Sequence, residues 1–385
     1  MPVAPESHAV LRDAVRTLCR RFPDEYWRRI DRDREYPDEF VRALTAHGYL
    51  AALIPDSYGG AGLSITEAGI ILEEIHRSGG NAAACHAQMY TMGALLRHGN
   101  AAQKSAYLPK IAAGELRLQA FAITEPDAGS DTTSIRTMAV RHGDRYIVHG
   151  QKIFTSRVRQ SDLMLLLART KALEDVDDKT DGLSLFLVDL RDVGNRLRVE
   201  PIETMVNHHT NQVFFDGLEV PAENLIGDEN RGFRHVIDGW NAERILLAAE
   251  AIGDGRWFID RASRYARDRV VFGRPIGSNQ GVQFPIAQAY AHVEAADLVR
   301  FDAARRFDAG EPCGAQANMA KYLAAEASWE AANACLSTHG GYGFAVDYDV
   351  ERKFRETRLF KEAPVSNNLI LAYLGHRVLG LPRSY

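Results

Sequence analysis

"FAITEPDAGSD", Phe121 to Asp131, marks the point where the hydrophobic period of the chain changes. Before it, apolar residues recur at helical spacing; from about residue 119 onward they alternate, as in strands. Within the stretch, Thr124, Ser130 and the backbone amides around Gly129 are suited to hydrogen-bond a polar ring edge or a phosphate. A polar turn leading into a strand accounts for the same residues equally well on local physics.

Toward the N-terminus the pattern is helical. "HAVLRDAVRTLCRRF" (8–22) sets Val10, Ala14, Val15 and Leu18 at helical spacing. "SITEAGIILEEIHRSGG" (64–80) opens with Ser64 and Glu67, a capping box, and closes on Gly79 and Gly80. "PDSYGGAGLS" (55–64) is a glycine-rich loop. Toward the C-terminus the period is two. "TMAVRHGDRYIVHGQKIFTS" (137–156) predicts a hairpin about "HGD", and "DLMLLLART", "LSLFLVDL", "LRVEPIE" and "NQVFFDGLEV" predict further strands. The acidic "LEDVDDKTDG" (173–182) is read as a surface loop rather than a metal site. After about residue 228, "RILLAAEAIGDGRWFIDRASRYARDR" and two later runs return to long helices able to pack as a bundle. The expected fold is α+β: a helical domain (1–118), a β-barrel or sandwich domain (119–227) and a C-terminal helical bundle (228–385).

Bulk properties narrow the function. The chain has 385 residues, 46% hydrophobic and 25% charged, with a net charge of −5. That balance leaves no basic footprint for nucleic acid. The N-terminus lacks a signal-peptide pattern, and no apolar run is long enough for a bilayer, so no membrane association is expected. Cys19, Cys85, Cys313 and Cys335 are scattered, and read as reduced structural thiols in a reducing, cytoplasmic setting.

Three more segments follow "FAITEPDAGSD" in order. They are His149 to Arg157 ("HGQKIFTSR"), Asp268 to Ile276 ("DRVVFGRPI") followed by "NQGVQF", and His339 to Phe344 ("HGGYGF"). Together they closely resemble the signatures of the acyl-CoA dehydrogenase family, and the resemblance covers essentially the whole chain. It implies FAD as cofactor, lying between the β domain and the C-terminal helices of a homotetramer built as a dimer of dimers. Carried over by position, Phe121, Ile123 and Thr124 would line the isoalloxazine ring, with Gly129 and Ser130 in the same signature. Phe154, Thr155 and Ser156 would cover its other side. Ser156 stands where a threonine is usual and Phe154 where a tryptophan is usual. Arg269, Phe272 and Gln280 would serve the pyrophosphate and adenine end, and Ser366 and Asn368 also fall at cofactor positions. His339, Gly340 and Gly341 would meet the cofactor from another subunit.

The family's reaction removes the α proton of an acyl thioester while the β hydride goes to the flavin, so a shielded carboxylate base is needed. In most members this glutamate lies near the C-terminus. Here that position falls on Pro364, and Glu362 reaches it only by a register shift. A minority, similar to isovaleryl-CoA and long-chain acyl-CoA dehydrogenases, carries the base on an earlier helix, and "AERILLAAEAIG" aligns with that segment without a gap. Glu243 is then the expected base, with Arg244, Asn241 and Ser130 toward the acyl-CoA substrate. Local physics alone allows blander accounts, in which Asn241 is an N-cap and Glu243 a first-turn carboxylate on an apolar stripe, or Glu243 pairs with an arginine. Pro364 also lacks the backbone N–H that polarises the thioester carbonyl in the family. The resemblance implies electron transfer to an electron-transfer flavoprotein. The alternatives are a flavin monooxygenase or oxidase of the same superfamily, or a catalytically weak acyl-thioester-binding flavoprotein.

Overall fold

The protein is described by a computed structural model covering residues 8–383. The expectation about an N-terminal leader rests partly on residues before His8, which lie outside those described. Helices come first: α1 (Ala9–Cys19), α2 (Asp24–Arg32), α3 (Asp38–Ala46), α4 (Ile65–Arg77), α5 (Ala83–His98) and α6 (Ala101–Ala112). Strands follow: β1 (Leu118–Ala122), β2 (Met138–His142), β3 (Arg145–Ser156), β4 (Leu163–Arg169), β5 (Leu183–Asp189), β6 (Leu197–Pro201), β7 (Thr210–Pro221) and β8 (Leu225–Ile226). Helix α7 (Gly232–Asp268), the short strands β9 (Val270–Val271) and β10 (Arg274–Pro275), and helices α8 (Gln280–Asp308), α9 (Gly314–His339), α10 (Val350–Arg358) and α11 (Asn367–Tyr373) complete the chain. The helix, strand, helix order is the expected one.

By internal contacts the chain forms two compact units. The sheet unit holds residues 36–63 and 83–240; the bundle unit holds the residues up to Glu35, 64–82 and those from Asn241 onward.

The sheet unit is built on a mixed eight-stranded sheet in the order β6-β7-β3-β2-β4-β5-β8, with β1 parallel to β4. The hairpin expected about "HGD" is β2–β3. Strands β4 and β5 show no polar alternation because both of their faces are covered. Leu163, Leu165 and Leu167 join Leu183, Leu185 and Leu187 in a core with Met92 and Leu95 of α5 and Leu108 of α6. Met164, Leu166 and Phe186 enter a second core with Val148 of β3 and Val213 of β7. The two-residue period of the strand sorts neighbouring side chains between the two cores.

In the bundle unit, α1 is a helix as expected, but only part of its apolar stripe is buried. Val15 and Leu18 are buried, whereas Val10 is 84% exposed and Ala14 faces solvent. The rotation follows from charge. Arg12 donates to Glu73 of α4 at 2.8 Å, and Arg16 donates to Glu74 at 2.6 Å. Both carboxylates are fully buried, so the arginines must turn inward to satisfy them.

Glu73 also receives Arg300 of α8 at 3.0 Å and pairs with Arg256 of α7. Burial by itself would raise its carboxyl; the Arg300, Arg256 and Arg12 guanidiniums outweigh that and hold it at about 2. A depressed carboxylate contributes its stability above its unfolded pKa and loses it as pH falls through the folded one. The contribution of Glu73, about 3 kcal/mol, is therefore complete above the ordinary glutamate value of 4.5 and drains toward pH 2. Urea unfolding midpoints should fall across that window. Glu73→Gln should flatten the fall while lowering the midpoint at neutral pH.

All four cysteines are buried thiols. Burial pushes Cys19 and Cys335 up to about 12, so neither is poised as a nucleophile. Among the described residues no helix is long and apolar enough to cross a membrane.

Candidate active site

The "FAITEPDAGSD" segment leaves β1 at Ala122 and turns at Glu125 to Ala128, whose backbones bond each other at 3.2 and 3.1 Å. Two bonds stitch this exit to the end of β3. Lys152 Nζ donates to the Ile123 carbonyl at 2.7 Å, and the Ile153 N–H donates to the Thr124 carbonyl at 2.9 Å. Lys152 also donates to the Glu125 carboxylate at 2.9 Å. That carboxylate accepts the backbone N–H groups of Arg136 and Thr137 at 2.6 and 2.9 Å. Lys152 is fully buried, and burial pulls its ammonium down to about 8 against the opposing Glu125 charge. These bonds bring Phe121, Ile123 and Thr124 together with Phe154, Thr155 and Ser156 on one braced edge. Gly129 and Ser130 are exposed in the adjoining loop, where Asp131 accepts hydrogen bonds from Thr133 and Ser134.

The β3–β7 ladder breaks register between Lys152 and Thr155. Phe154 lies in that bulge with φ of +57° and is 61% exposed. A bulge re-aims a side chain, and a phenylalanine in the left-handed region persists only where its surroundings over-determine it. Beside it, Thr155 is 1% exposed and its Oγ1 has no hydrogen-bond partner among the described residues. A buried hydroxyl left unbonded costs about 1–3 kcal/mol, so a polar ligand atom is its fitting partner. An outward aromatic plate next to an orphaned hydroxyl fits a flavin, whose ring is apolar on its faces and polar at its edge.

The other cofactor candidates lie in the bundle unit. Phe272 and Gly273, both at positive φ, form the two-residue turn between β9 and β10, and Phe272 is 100% exposed. Gln280 is exposed at the start of α8. Arg269 lies over the Tyr342 ring, 5.8 Å from its centroid, which places it near the 340–344 turn of the same chain. His339 is buried, stacked on Tyr265 at 4.2 Å, and donates from Nδ1 to the Cys335 carbonyl at 2.8 Å; Gly340 and Gly341 are exposed.

Sequence alone left three accounts of Glu243, as a helix-start carboxylate, the partner of an arginine or a base, and the structure removes the first. Helix α7 starts at Gly232, so Asn241 lies inside it and caps nothing. Gly239 does not interrupt the helix. The Arg97 guanidinium occupies the space beside it, and a Cβ there would lie 2.8 Å from Nη2. From Ala242 to Gly255 every residue is buried, so this part of α7 is covered all round rather than along one stripe. Glu243 is 7% and Arg244 9% exposed. Consecutive helix residues do not face each other, so the two interact through charge. Burial lowers the Arg244 guanidinium and the Glu243 carboxylate opposes it. A carboxylate about three turns past the helix start has lost the dipole explanation.

The loop that carries Pro364 gives a contrasting setting for Glu362. Its side chain is 62% exposed and pairs with Arg358 at 2.9 Å. The Ala363–Pro364 peptide is cis. Ser366 caps α11 by accepting the Leu369 N–H at 3.4 Å, and Asn368 is exposed. Two positioning groups were not read from sequence. The Lys152–Glu125 pair joins two motifs that were read separately. Lys321, a lone cation in the alanine-rich "ANMAKYLAAEA", is fully buried against this loop.

Comparison with known proteins gives the family. Residues 5–115, 120–218 and 230–364 match the acyl-CoA dehydrogenase N-terminal, middle and C-terminal domains, respectively. The chain is 36% identical to the acyl-CoA dehydrogenase FadE12 of Mycobacterium tuberculosis over 99% of its length and 98% of the relative. It superposes on a glutaryl-CoA dehydrogenase solved with glutaryl-CoA with a TM-score of 0.91, at 30% identity, covering 100% of this chain and 98% of the other. A chain from the structure of the electron transferring flavoprotein of Acidaminococcus fermentans gives a TM-score of 0.91 at 27% identity, covering 98% and 99%. Fold and site therefore define a flavin-dependent oxidoreductase. The chain belongs to the acyl-CoA dehydrogenase family, whose cofactor is FAD.

Proposed function

We propose that this chain oxidises an acyl-CoA between its α and β carbons, with Glu243 as the base. The observation that carries the reading is Glu243 itself, a carboxylate shielded from water inside α7, about three turns past the helix start. Bound FAD supplies the hydride acceptor. Glu243 takes the α proton from a place shielded from water. Arg244 positions the CoA end, together with Asn241 and Ser130. Phe121, Ile123 and Thr124 hold one side of the ring, while Phe154, Thr155 and Ser156 hold the other. Lys152 keeps that edge rigid. Arg269, Phe272, Gln280, His339, Gly340, Gly341, Ser366 and Asn368 secure the rest of the cofactor.

Electrons then pass to an electron-transfer flavoprotein; a fold neighbour from the structure of such a protein supports this choice. Four buried thiols fit a cytoplasmic setting. Anaerobic titration of the yellow protein with a panel of acyl-CoAs tests the reading. Loss of visible flavin absorbance with at least one of them is the expected result. Binding without bleaching points to a weak acyl-thioester-binding flavoprotein, and rapid reoxidation by air with oxygenated product points to an oxidase or monooxygenase.

The enzyme works as a homotetramer. Phe272 at 100%, Phe344 at 72%, Phe284 at 59% and Val346 at 56% exposure are too many large apolar side chains for an isolated surface. Phe272→Asp should shift sedimentation toward smaller species and loosen FAD, while the far-UV spectrum stays unchanged. A tetramer with full FAD in that variant would refute the role given to this turn.

A further inference from the structure

The loop from Lys361 to Asn367 is pinned to α9 on both sides of Pro364. Before the proline, Lys361 Nζ donates to Glu326 at 2.8 Å. After it, Lys321 Nζ donates to the Val365 carbonyl at 2.7 Å and to Asn367 Oδ1 at 2.9 Å. Asn367 Nδ2 closes the circuit by donating to Glu326 at 2.7 Å. Lys321 and Asn367 are both buried, at 0% and 7% exposure. Fixing a lysine so completely is costly, and here it holds the Val365 carbonyl and the Asn367 side chain together.

The geometry has a direct consequence. In a trans peptide the carbonyl and the following N–H point in opposite directions. With the Val365 carbonyl held against α9, the Ser366 N–H points away from α9. A cation on the carbonyl also polarises the peptide and makes its N–H a stronger donor. Lys321 lies within electrostatic reach of Arg244, the neighbour of Glu243, so loop and proposed base share one neighbourhood.

We propose that Lys321 is a positioning residue for the dehydrogenation: it orients and polarises the Val365–Ser366 peptide so that the Ser366 N–H, in place of the donor missing at Pro364, hydrogen-bonds the thioester carbonyl. This rests on the function proposed above. Burial drives the Lys321 ammonium down to about 7, with Glu362 opposing, Arg244 adding, Glu326 opposing and Lys361 adding. Both charge states are therefore populated near neutral pH.

The test uses the FAD-loaded enzyme and the CoA thioester of a dimethylamino-substituted cinnamate, a probe whose absorption moves to the red when its carbonyl oxygen accepts hydrogen bonds. Wild type should show the red shift, larger at pH 6 than at pH 8.5. Lys321→Met, with FAD still bound, should lose most of the shift and its pH dependence. Its kcat for a good acyl-CoA should fall on the order of 10²-fold with KM little changed. An unaltered shift in Lys321→Met overturns the proposal. If that variant loses FAD or fails to fold, the wild-type series decides: a shift that is flat between pH 6 and 8.5 overturns it, and one that declines with pH supports it. No shift at all in wild type instead overturns the acyl-thioester reading itself.

Discussion

Glu243→Gln is expected to remain yellow and to resist bleaching by every acyl-CoA that bleaches the parent enzyme. Glutamine keeps the size of the side chain and removes the basic oxygen. General-base catalysis contributes on the order of 10² to 10⁴, so flavin reduction should slow by about 10³-fold or more. FAD content should not change, because Glu243 is not among the residues assigned to the cofactor. Glu362→Gln is the informative control. Glu362 is exposed and tied to Arg358, so its loss should leave the rate of reduction nearly intact. Wild-type bleaching in Glu243→Gln would falsify the assignment, and a dead Glu362→Gln would move the base to the C-terminal loop.

Lys152→Met should be the most damaging substitution near the proposed flavin edge. It takes the donor from the Ile123 carbonyl and the countercharge from the Glu125 carboxylate, which keeps only the Arg136 and Thr137 N–H groups in a buried place. Breaking one partner out of a buried pair costs about 3–5 kcal/mol. The loss should appear as a lower urea midpoint and as purified protein depleted of FAD, because Ile123 and Thr124 lose their brace to β3. Lys152→Met combined with Glu125→Gln should recover part of the stability, since the second change removes the stranded charge. Additive losses in the double variant would mean that the pair is not coupled as its geometry indicates.

What was legible in the sequence followed from local physics. The change of period near Phe121 announced the sheet. The alternation about "HGD" announced β2–β3, and Ser64 with Glu67 announced the start of α4, where both capping bonds are made. Faces were less legible than elements. Val10 and Ala14 fit a helical stripe as well as any residue of α1, but the helix turned to bring Arg12 and Arg16 to Glu73 and Glu74, acids some sixty positions away. The start of α7 was hidden for the same reason: only Arg97, on another helix, shows why Gly239 can stand inside a helix.

By itself the sequence determined the order of helix, sheet and helix and the membership of the family, and it proposed Glu243 as the base once Pro364 stood at the usual position. These depend on residue identity and short-range spacing, which a linear string records completely. Only the tertiary structure decided that Glu243 lies inside α7 at the start of its buried run, that a bulge turns Phe154 outward beside an unbonded Thr155 hydroxyl, and that Lys321 grips the loop beyond Pro364. Each of these depends on groups far apart in sequence competing for the same buried space or charge, and that competition is settled only when the chain is packed.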